Sequence, residues 1–322
     1  TLTDLARRFN LGYAEIVRAN PGVDPWLPGE GTRIILPTQF VLPDAPREGI
    51  VLNLPALRLF YYPKPKKGEQ PVVMTHPIGI GKVGWETPLG KTKVVSKRKN
   101  PTWTPPDSVR KEHAERGDIL PPVVRAGPDN PLGAYAMRLG WTTYLIHGTN
   151  KPAGVGMRVS HGCIRLYPED IEAIFGKVPV GTKVRIIDQP LLYGWQADSL
   201  YVQSYPALED DDGDMPGRKV EVEPAPAAEG RFDDALSSRM WQVVKPNGGE
   251  VDWGLTETVV NGALGIAVPV SRRGLTLERY FAAARHVENA LPDGATWAGN
   301  NDEDSEASEP QPVAAADSEG QP

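Results

Sequence analysis

Apolar residues near the start of the chain recur every three or four positions, which is the spacing of a helix face. They are Leu2, Leu5, Ala6 and Phe9 in a first run, and Ala14, Ile16, Val17 and Ala19 in a second. Turn-forming residues end the runs at Asn10–Gly12 and Asn20–Gly22, and a short apolar strand follows before Pro37. Residues 1–37 are therefore predicted to form a small unit of two short helices and a strand.

Between residues 47 and 188 the pattern changes to short runs rich in Val, Ile, Thr and Tyr, which are separated by Gly and Pro. Such runs are typical of strands. They are IVLNLPALRLFYY, PVVMTHPIGIG, KTKVVSKR, AYAMRL, TTYLIH and TKVRIID. One clear helix is predicted at Pro168–Phe175, because proline opens it and acids fill its first turn. We predict a mostly β domain over 47–188, either a β-sandwich or a partly closed barrel.

The pattern weakens after residue 188. LYVQSYPAL predicts a strand, MWQVVKP and TVVNGALGIAVPVSR predict two more, and LTLERYFAAARHV predicts a helix. We interpret residues 189–292 as an appended C-terminal subdomain. Residues 293–322 are predicted to form an acidic, disordered tail, because they offer little apolar surface to offset the entropy of ordering.

Composition narrows the class of protein. Gly and Pro each number 33 of 322 residues, above average shares of roughly 7% and 5%, which favours a loop-rich β protein. The net charge of −6 comes from the tail, so the body of the chain carries no basic signature of nucleic-acid binding. The sequence contains no run of about 18 or more apolar residues, so it does not predict a membrane span. The chain starts in mid-pattern at Thr1, and we expect a processed or trimmed protein.

The single cysteine lies in SHGCIRL, residues 160–166. His161 precedes Cys163 by two positions, and His147 lies sixteen positions upstream. A thiol attacks as the thiolate, and a neighbouring imidazole can take its proton. The polar, glycine-containing flanks predict a tight turn that presents the thiol at a surface. There Gly162 would let main-chain N–H groups reach a reacting carbonyl.

Other interpretations of this thiol exist. A free cysteine often only packs in a core. His147, His161 and Cys163 are all types of zinc ligand, although the paired spacing usual in zinc sites is absent. A cysteine phosphatase loop is excluded, because that chemistry places an arginine six positions after the cysteine and this chain has Glu169 there.

The stretch HGTNKPAGVGMRVSHGCIRL closely resembles the signature of the YkuD-type L,D-transpeptidases. In that signature a His is followed, after a gap of about fifteen residues, by Ser/Thr-His-Gly-Cys, and usually by Arg or Asn two positions later. The resemblance extends to IVLNLPALRLFYY, IGIGKVGWETPLGKTKV, NPTWTPP and AGPDNPLGAYAMRL, and so covers most of 47–188. Residues 1–37 resemble a LysM module, a peptidoglycan-binding unit whose usual first strand would lie before Thr1.

The resemblance implies roles for the residues of the signature. Cys163 would be the nucleophile and His147 its base, with the Gly148 carbonyl orienting the imidazole. Proximity in sequence alone would nominate His161 as the base instead. The resemblance makes His161 a residue that shapes the pocket. Ser160 and Gly162 belong to the same turn.

Several residues keep two interpretations. Arg165 is implied to meet a substrate carboxylate, which a planar guanidinium suits, but it could also form a scaffold salt bridge. Ser160 and His161 either assist catalysis or only fix the turn. The remaining candidates, which either line the pocket or hold the surrounding chain, are Asn150, Arg158 and Trp103.

The resemblance also implies the reaction. The thiolate would attack the third residue of a tetrapeptide stem, release the terminal D-Ala, and pass the acyl group to an amine. That amine would belong to another stem, giving a 3–3 crosslink, or to an outer-membrane lipoprotein. Transfer to water would make the protein an L,D-carboxypeptidase, and a non-catalytic peptidoglycan-binding protein is a further alternative. No metal or organic cofactor is required. We expect stem peptides and glycan as partners, carbapenems as inhibitors, and an exported, periplasmic location.

Overall fold

The computed structural model of the chain describes residues 1–208, 232–247, 250–272 and 274–290. The acidic tail predicted for 293–322 lies outside these residues.

The first 37 residues form the predicted helices and strand, α1 (Leu2–Arg8), α2 (Tyr13–Ala19) and β1 (Arg33–Ile35). A capping box starts α1, because the Thr1 hydroxyl accepts from the Asp4 N–H and the Asp4 carboxylate binds back to the chain terminus. The apolar faces of the two helices close over a small core of Leu2, Ala6, Leu11, Ile16, Ile34 and Leu36.

The next part of the chain is built from strands, as the sequence predicts. They are β2 (Gly49–Asn53), β3 (Arg58–Tyr62), β4 (Met74–Pro77), β5 (Ile80–Gly81), β6 (Gly90–Lys99), β7 (Tyr135–Leu139), β8 (Leu145–His147), β9 (Arg158–Ser160), β10 (Ile164–Arg165) and β11 (Lys183–Ile187). Eight of them form one sheet in the order β10-β8-β7-β6-β11-β2-β3-β4, and β5 pairs with β9. The mostly β fold with a curled sheet is therefore confirmed.

Two helices accompany this sheet. The predicted helix is present as α4 (Pro168–Phe175), whose buried Ile171 and Ile174 pack into the sheet's main core. The sequence reading missed α3 (Asp107–Glu115), because only Val109 of that helix is buried and no apolar stripe marks it.

The C-terminal part contains β12 (Leu191–Gln196), β13 (Ser199–Ser204), α5 (Asp234–Val244), α6 (Trp253–Gly262), β14 (Val268–Pro269), α7 (Leu277–Ala283) and β15 (His286–Glu288). The strand predicted from MWQVVKP is wrong, since those apolar residues belong to α5, which Asp233 caps. The second predicted strand divides into the end of α6 and the short β14. β12 was not predicted.

β15 does not join its neighbours in sequence. It pairs antiparallel with β1, with Ile34 opposite Val287, and Val287 packs against the small core of the first 37 residues. Among the helices that the structure describes, none has the length and apolar character needed to cross a membrane.

Candidate active site

Two short parallel strands, β8 and β10, carry the residues of the predicted site. Their register places Arg165 beside His147 and Ile164 beside Ile146. Cys163 immediately precedes β10, and alternate residues of an extended chain share a face of the sheet. Cys163, Arg165 and His147 therefore project from the same face, whereas Ile146 and Ile164 are buried in the core on the other.

The turn before Cys163 is held by Ser160. The Ser160 hydroxyl donates to the Cys163 carbonyl at 2.6 Å and accepts from the Gly162 N–H at 3.2 Å. Gly162 has a φ of +96°, and a Cβ there would lie 2.9 Å from Tyr144 Cε1, so both backbone and space require glycine. The Gly162 N–H is thus already engaged inside the turn.

A second segment holds this turn from outside. The Lys82 N–H donates to the Ser160 carbonyl at 3.0 Å, and the Thr87 hydroxyl donates to the Gly162 carbonyl at 2.9 Å. Both contacts come from residues more than seventy positions upstream. The sequence reading did not find either residue.

His147 is buried, with 3% of its surface exposed. Its Nδ1 lies 2.6 Å from the Gly148 carbonyl, which only accepts hydrogen bonds, so Nδ1 carries the proton and Nε2 has the free lone pair. Burial, and after it the charge of Arg165, lower the pKa of His147 to about 3. Hydrogen bonds to main-chain groups of Gly148 and Leu132 act in the opposite direction. The imidazole is therefore neutral at physiological pH.

Cys163 is half-buried, and its Sγ lies 3.5 Å from the Thr143 carbonyl. Burial raises the pKa of the thiol, while a hydrogen bond from the Leu145 main chain and the charge of Arg165 lower it. The thiol and the imidazole are thus both uncharged at neutral pH.

Arg165 lies in the same surroundings, and no carboxylate of the described residues forms an ion pair with it. Burial lowers the pKa of its guanidinium, and the Cys163 thiol acts against that shift. Its Nε has no hydrogen-bond partner within the described residues. A half-buried cation without a carboxylate partner among the described residues favours the interpretation as an anion-binding residue over the scaffold salt bridge.

His161 points to a different set of residues. Its Nε2 lies 2.9 Å from Glu112 of α3, and its ring packs edge-on against Trp85 at 4.8 Å between centroids. Glu112 also contacts Lys82 and Arg116. Hydrogen bonds from Lys82 and His161 lower the pKa of Glu112 to about 2. His161 thus belongs to an ion-pair network around Glu112, which the sequence analysis did not predict.

The outer candidates hold the surrounding loops. Asn150 donates to the Asp129 carbonyl at 3.1 Å and lines a small cavity of about 280 Å³. Arg158 is 6% exposed and donates to the Leu208 carbonyl at 2.6 Å. Trp103 is half-buried and bridges to Val124 through both main-chain groups. None of these contacts brings the three side chains to Cys163.

In the part of the chain that the structure describes, no three His, Cys, Asp or Glu side chains come together as a metal site. This holds for His147, His161 and Cys163 as well, since His161 is turned toward Glu112 while His147 is held by Gly148.

Comparison with known proteins places this arrangement in a family. Residues 47–186 match the model of the YkuD L,D-transpeptidase catalytic domain. The probable L,D-transpeptidase YbiS of Escherichia coli K12 is 45% identical over 217 residues, which are 67% of this chain and 69% of that protein.

Two further relatives carry the same description. The probable L,D-transpeptidase ErfK/SrfK of Salmonella typhimurium is 41% identical over 253 residues, 77% of this chain and 80% of its own length. The probable L,D-transpeptidase YcfS of E. coli K12 is 49% identical over 195 residues, 59% of this chain and 60% of its own. The chain therefore belongs to the YkuD family of L,D-transpeptidases.

Proposed function

We propose that this L,D-transpeptidase acts through a thioester on Cys163, with His147 as the general base and a peptidoglycan tetrapeptide stem as the acyl donor. The observation that carries the proposal is the shared face of β8 and β10, from which both side chains project. The Gly148 carbonyl fixes the tautomer in which Nε2 accepts a proton.

The first half of the reaction forms the acyl-enzyme. His147 Nε2 takes the thiol proton while Sγ attacks the carbonyl of the third stem residue. The carbonyl π electrons move to oxygen, and the resulting oxyanion accepts hydrogen bonds from the main chain. The C–N bond to the terminal D-Ala then breaks, and the leaving amine takes the proton from His147. A positioned base of this kind contributes on the order of 10²–10⁴-fold in rate.

The second half transfers the acyl group. An acceptor amine attacks the thioester, loses a proton to His147, and expels the Cys163 thiolate, which is reprotonated. An amine on a second stem would give a 3–3 crosslink, and a lipoprotein lysine would tether the wall to an outer membrane. Water as acceptor would make the same site an L,D-carboxypeptidase.

Arg165 would bind a carboxylate of the stem beside the reacting bond. Its side chain shares the face of Cys163 and His147, and its Nε is unpartnered among the described residues. A charge-assisted hydrogen bond to a substrate carboxylate would supply a counter-ion that the described residues do not provide. The same contact would reduce the field of Arg165 at His147 and so make the imidazole a stronger base.

The first 37 residues would hold glycan as a LysM-like module. Their two helices pack beside the two-stranded β1–β15 sheet, which provides a second strand next to β1. Binding the polymer would raise the local concentration of stems at Cys163. The remaining boundaries we propose are a catalytic domain over 47–188 and a C-terminal subdomain over 189–292. A wall substrate implies an exported, periplasmic protein.

Mass spectrometry with a carbapenem tests the nucleophile. The strained lactam carbonyl should acylate Cys163, so the intact protein gains the mass of the drug. Cys163→Ala should show no gain, and His147→Gln should acylate at least about 10²-fold more slowly. An unmodified wild-type protein, or an adduct that survives in Cys163→Ala, would overturn the proposal.

The acceptor is tested with a disaccharide tetrapeptide. A dimer linked between third residues supports transfer to a second stem. Tripeptide alone identifies the hydrolytic alternative. Binding of the saccharide without either product, together with no carbapenem adduct, would identify a non-catalytic peptidoglycan-binding protein.

A further inference from the structure

The main chain around Cys163 is fixed by a series of hydrogen bonds. The Gly162 N–H donates to Ser160 Oγ, the Cys163 carbonyl accepts from the same hydroxyl, and the Gly162 carbonyl accepts from Thr87. The N–H of Cys163 belongs to the same turn, and the described residues supply no acceptor for it.

The Thr87 contact determines where that N–H points. In a trans peptide unit the carbonyl and the N–H lie in one plane and point in opposite directions. The carbonyl of the Gly162–Cys163 peptide is held at 2.9 Å by the Thr87 hydroxyl. The Cys163 N–H must therefore point away from Thr87.

The hydroxyl of Thr87 has a defined direction. Thr87 is buried, with 5% of its surface exposed, and its Oγ1 accepts from the Gly81 N–H at 3.1 Å. Since the Gly162 carbonyl can only accept, the hydroxyl proton goes to Gly162. Gly81 itself belongs to β5, which pairs with β9 immediately before the turn. The Thr87 hydroxyl thus connects the Gly162–Cys163 peptide to strand β5 through hydrogen bonds.

We propose that Thr87 is a positioning residue for acyl transfer, because it holds the Gly162–Cys163 peptide in the orientation in which the Cys163 N–H stabilises the oxyanion. This inference rests on the proposed role of Cys163. Thr87 does not contact substrate. It acts through the peptide plane, and a rotated plane would weaken the charge stabilisation that develops only in the transition state.

Two reactions of the same thiol test the proposal. Acylation by a carbapenem passes through an oxyanion, whereas alkylation by iodoacetamide displaces iodide at a saturated carbon and needs no oxyanion donor. Thr87→Val keeps the branched shape and removes the hydroxyl. We expect the variant to acylate about 10–100-fold more slowly, with an alkylation rate within about twofold of the wild type.

Thr87→Ser is the matched control, because it keeps the hydroxyl. It should recover acylation to within about threefold of the wild type. Thr87→Ala replaces Thr87→Val if the valine variant does not fold, and thermal melting of each variant checks that. Unchanged acylation in the hydroxyl-free variant, or an equal loss in acylation and alkylation, overturns the proposal. Failure of the wild type to acylate would instead overturn the role of Cys163, so the two outcomes are distinct.

Discussion

Cys163 and His147 are both uncharged at neutral pH, and burial is the main cause of the raised pKa of the thiol and of the lowered pKa of the imidazole. Many reactive thiols are instead stored as a thiolate beside a cationic partner. In the reaction proposed above, the thiol proton would therefore move during attack, and the site would depend on base catalysis at that moment. The nearby charge of Arg165 opposes protonation of His147 and favours the thiolate, and a bound carboxylate would weaken both effects.

This protonation state predicts an unusual pH profile. Because the pKa of His147 is lowered to about 3, its Nε2 stays available as a base well below the ordinary histidine pKa of about 6.5. Carbapenem acylation of Cys163, followed by mass spectrometry from pH 4 to pH 8, should show no loss centred near pH 6.5. Activity should decline only as the pH approaches 3. An acid limb near pH 6.5 would contradict the buried, neutral imidazole.

At this scale the sequence predicts the candidate catalytic residues, but it does not predict the residues that hold them in place. Cys163, His147 and Gly148 follow from the signature, because the motif records which residues meet. Glu112 and Thr87 are separated from their partners His161 and Gly162 by 49 and 75 positions. A single Glu on a helix or a single Thr in a loop has no local pattern that predicts such a contact.

Helices and strands could be predicted where apolar residues form a clear run in the sequence. The strands from β2 to β8 and the helix α4 all follow from runs of apolar residues with turn signals at their ends. β9 and β10 lie on either side of the polar, glycine-containing turn before Cys163, where no apolar run marks a strand. α5 was taken for a strand because the apolar run MWQVV does not distinguish a short buried strand from a helix.

The helix α3 attaches to the site through Glu112, and this contact predicts a shift in His161. The Glu112 carboxylate favours the protonated imidazole, whose pKa is lowered chiefly by burial. Glu112→Gln should therefore lower the pKa of His161 further, which an NMR titration of the ring measures. Glu115→Gln changes an exposed residue of the same helix and should leave the titration unchanged. Equal titrations in both variants would mean that α3 does not hold His161.

In the whole molecule, the first 37 residues are joined to the large sheet by a buried ion pair. Glu15 of α2 receives two hydrogen bonds from Arg58 of β3, at 2.6 and 2.7 Å, and both residues are almost fully buried. The N–H groups of Tyr13 and Ala14 also donate to the carbonyls of Val155 and Gly156. The N-terminal unit is therefore seated against the loop that leads into β9 and the Cys163 turn.

This junction predicts a large stability difference between two glutamates. Glu15→Gln leaves Arg58 buried without its counter-charge and should lower the free energy of unfolding by about 3–5 kcal/mol. Glu169→Gln breaks a half-exposed pair with Arg7 and should cost about 0–1 kcal/mol. Urea denaturation of the wild type and both variants measures the difference. Similar small losses of unfolding free energy in the two variants would show that the Glu15–Arg58 pair does not hold the first 37 residues against the large sheet.

The pairing of β1 with β15 has a consequence for how the protein assembles. Residues 33–35 cannot complete their two-stranded sheet until residues 286–288 have been made, some 250 positions later. A contact so distant in sequence closes slowly, because the loop entropy is lost before the contact forms. The N-terminal unit should thus be among the last parts to mature, and a ribosome-bound fragment that lacks β15 would leave the edge of β1 open to foreign chains.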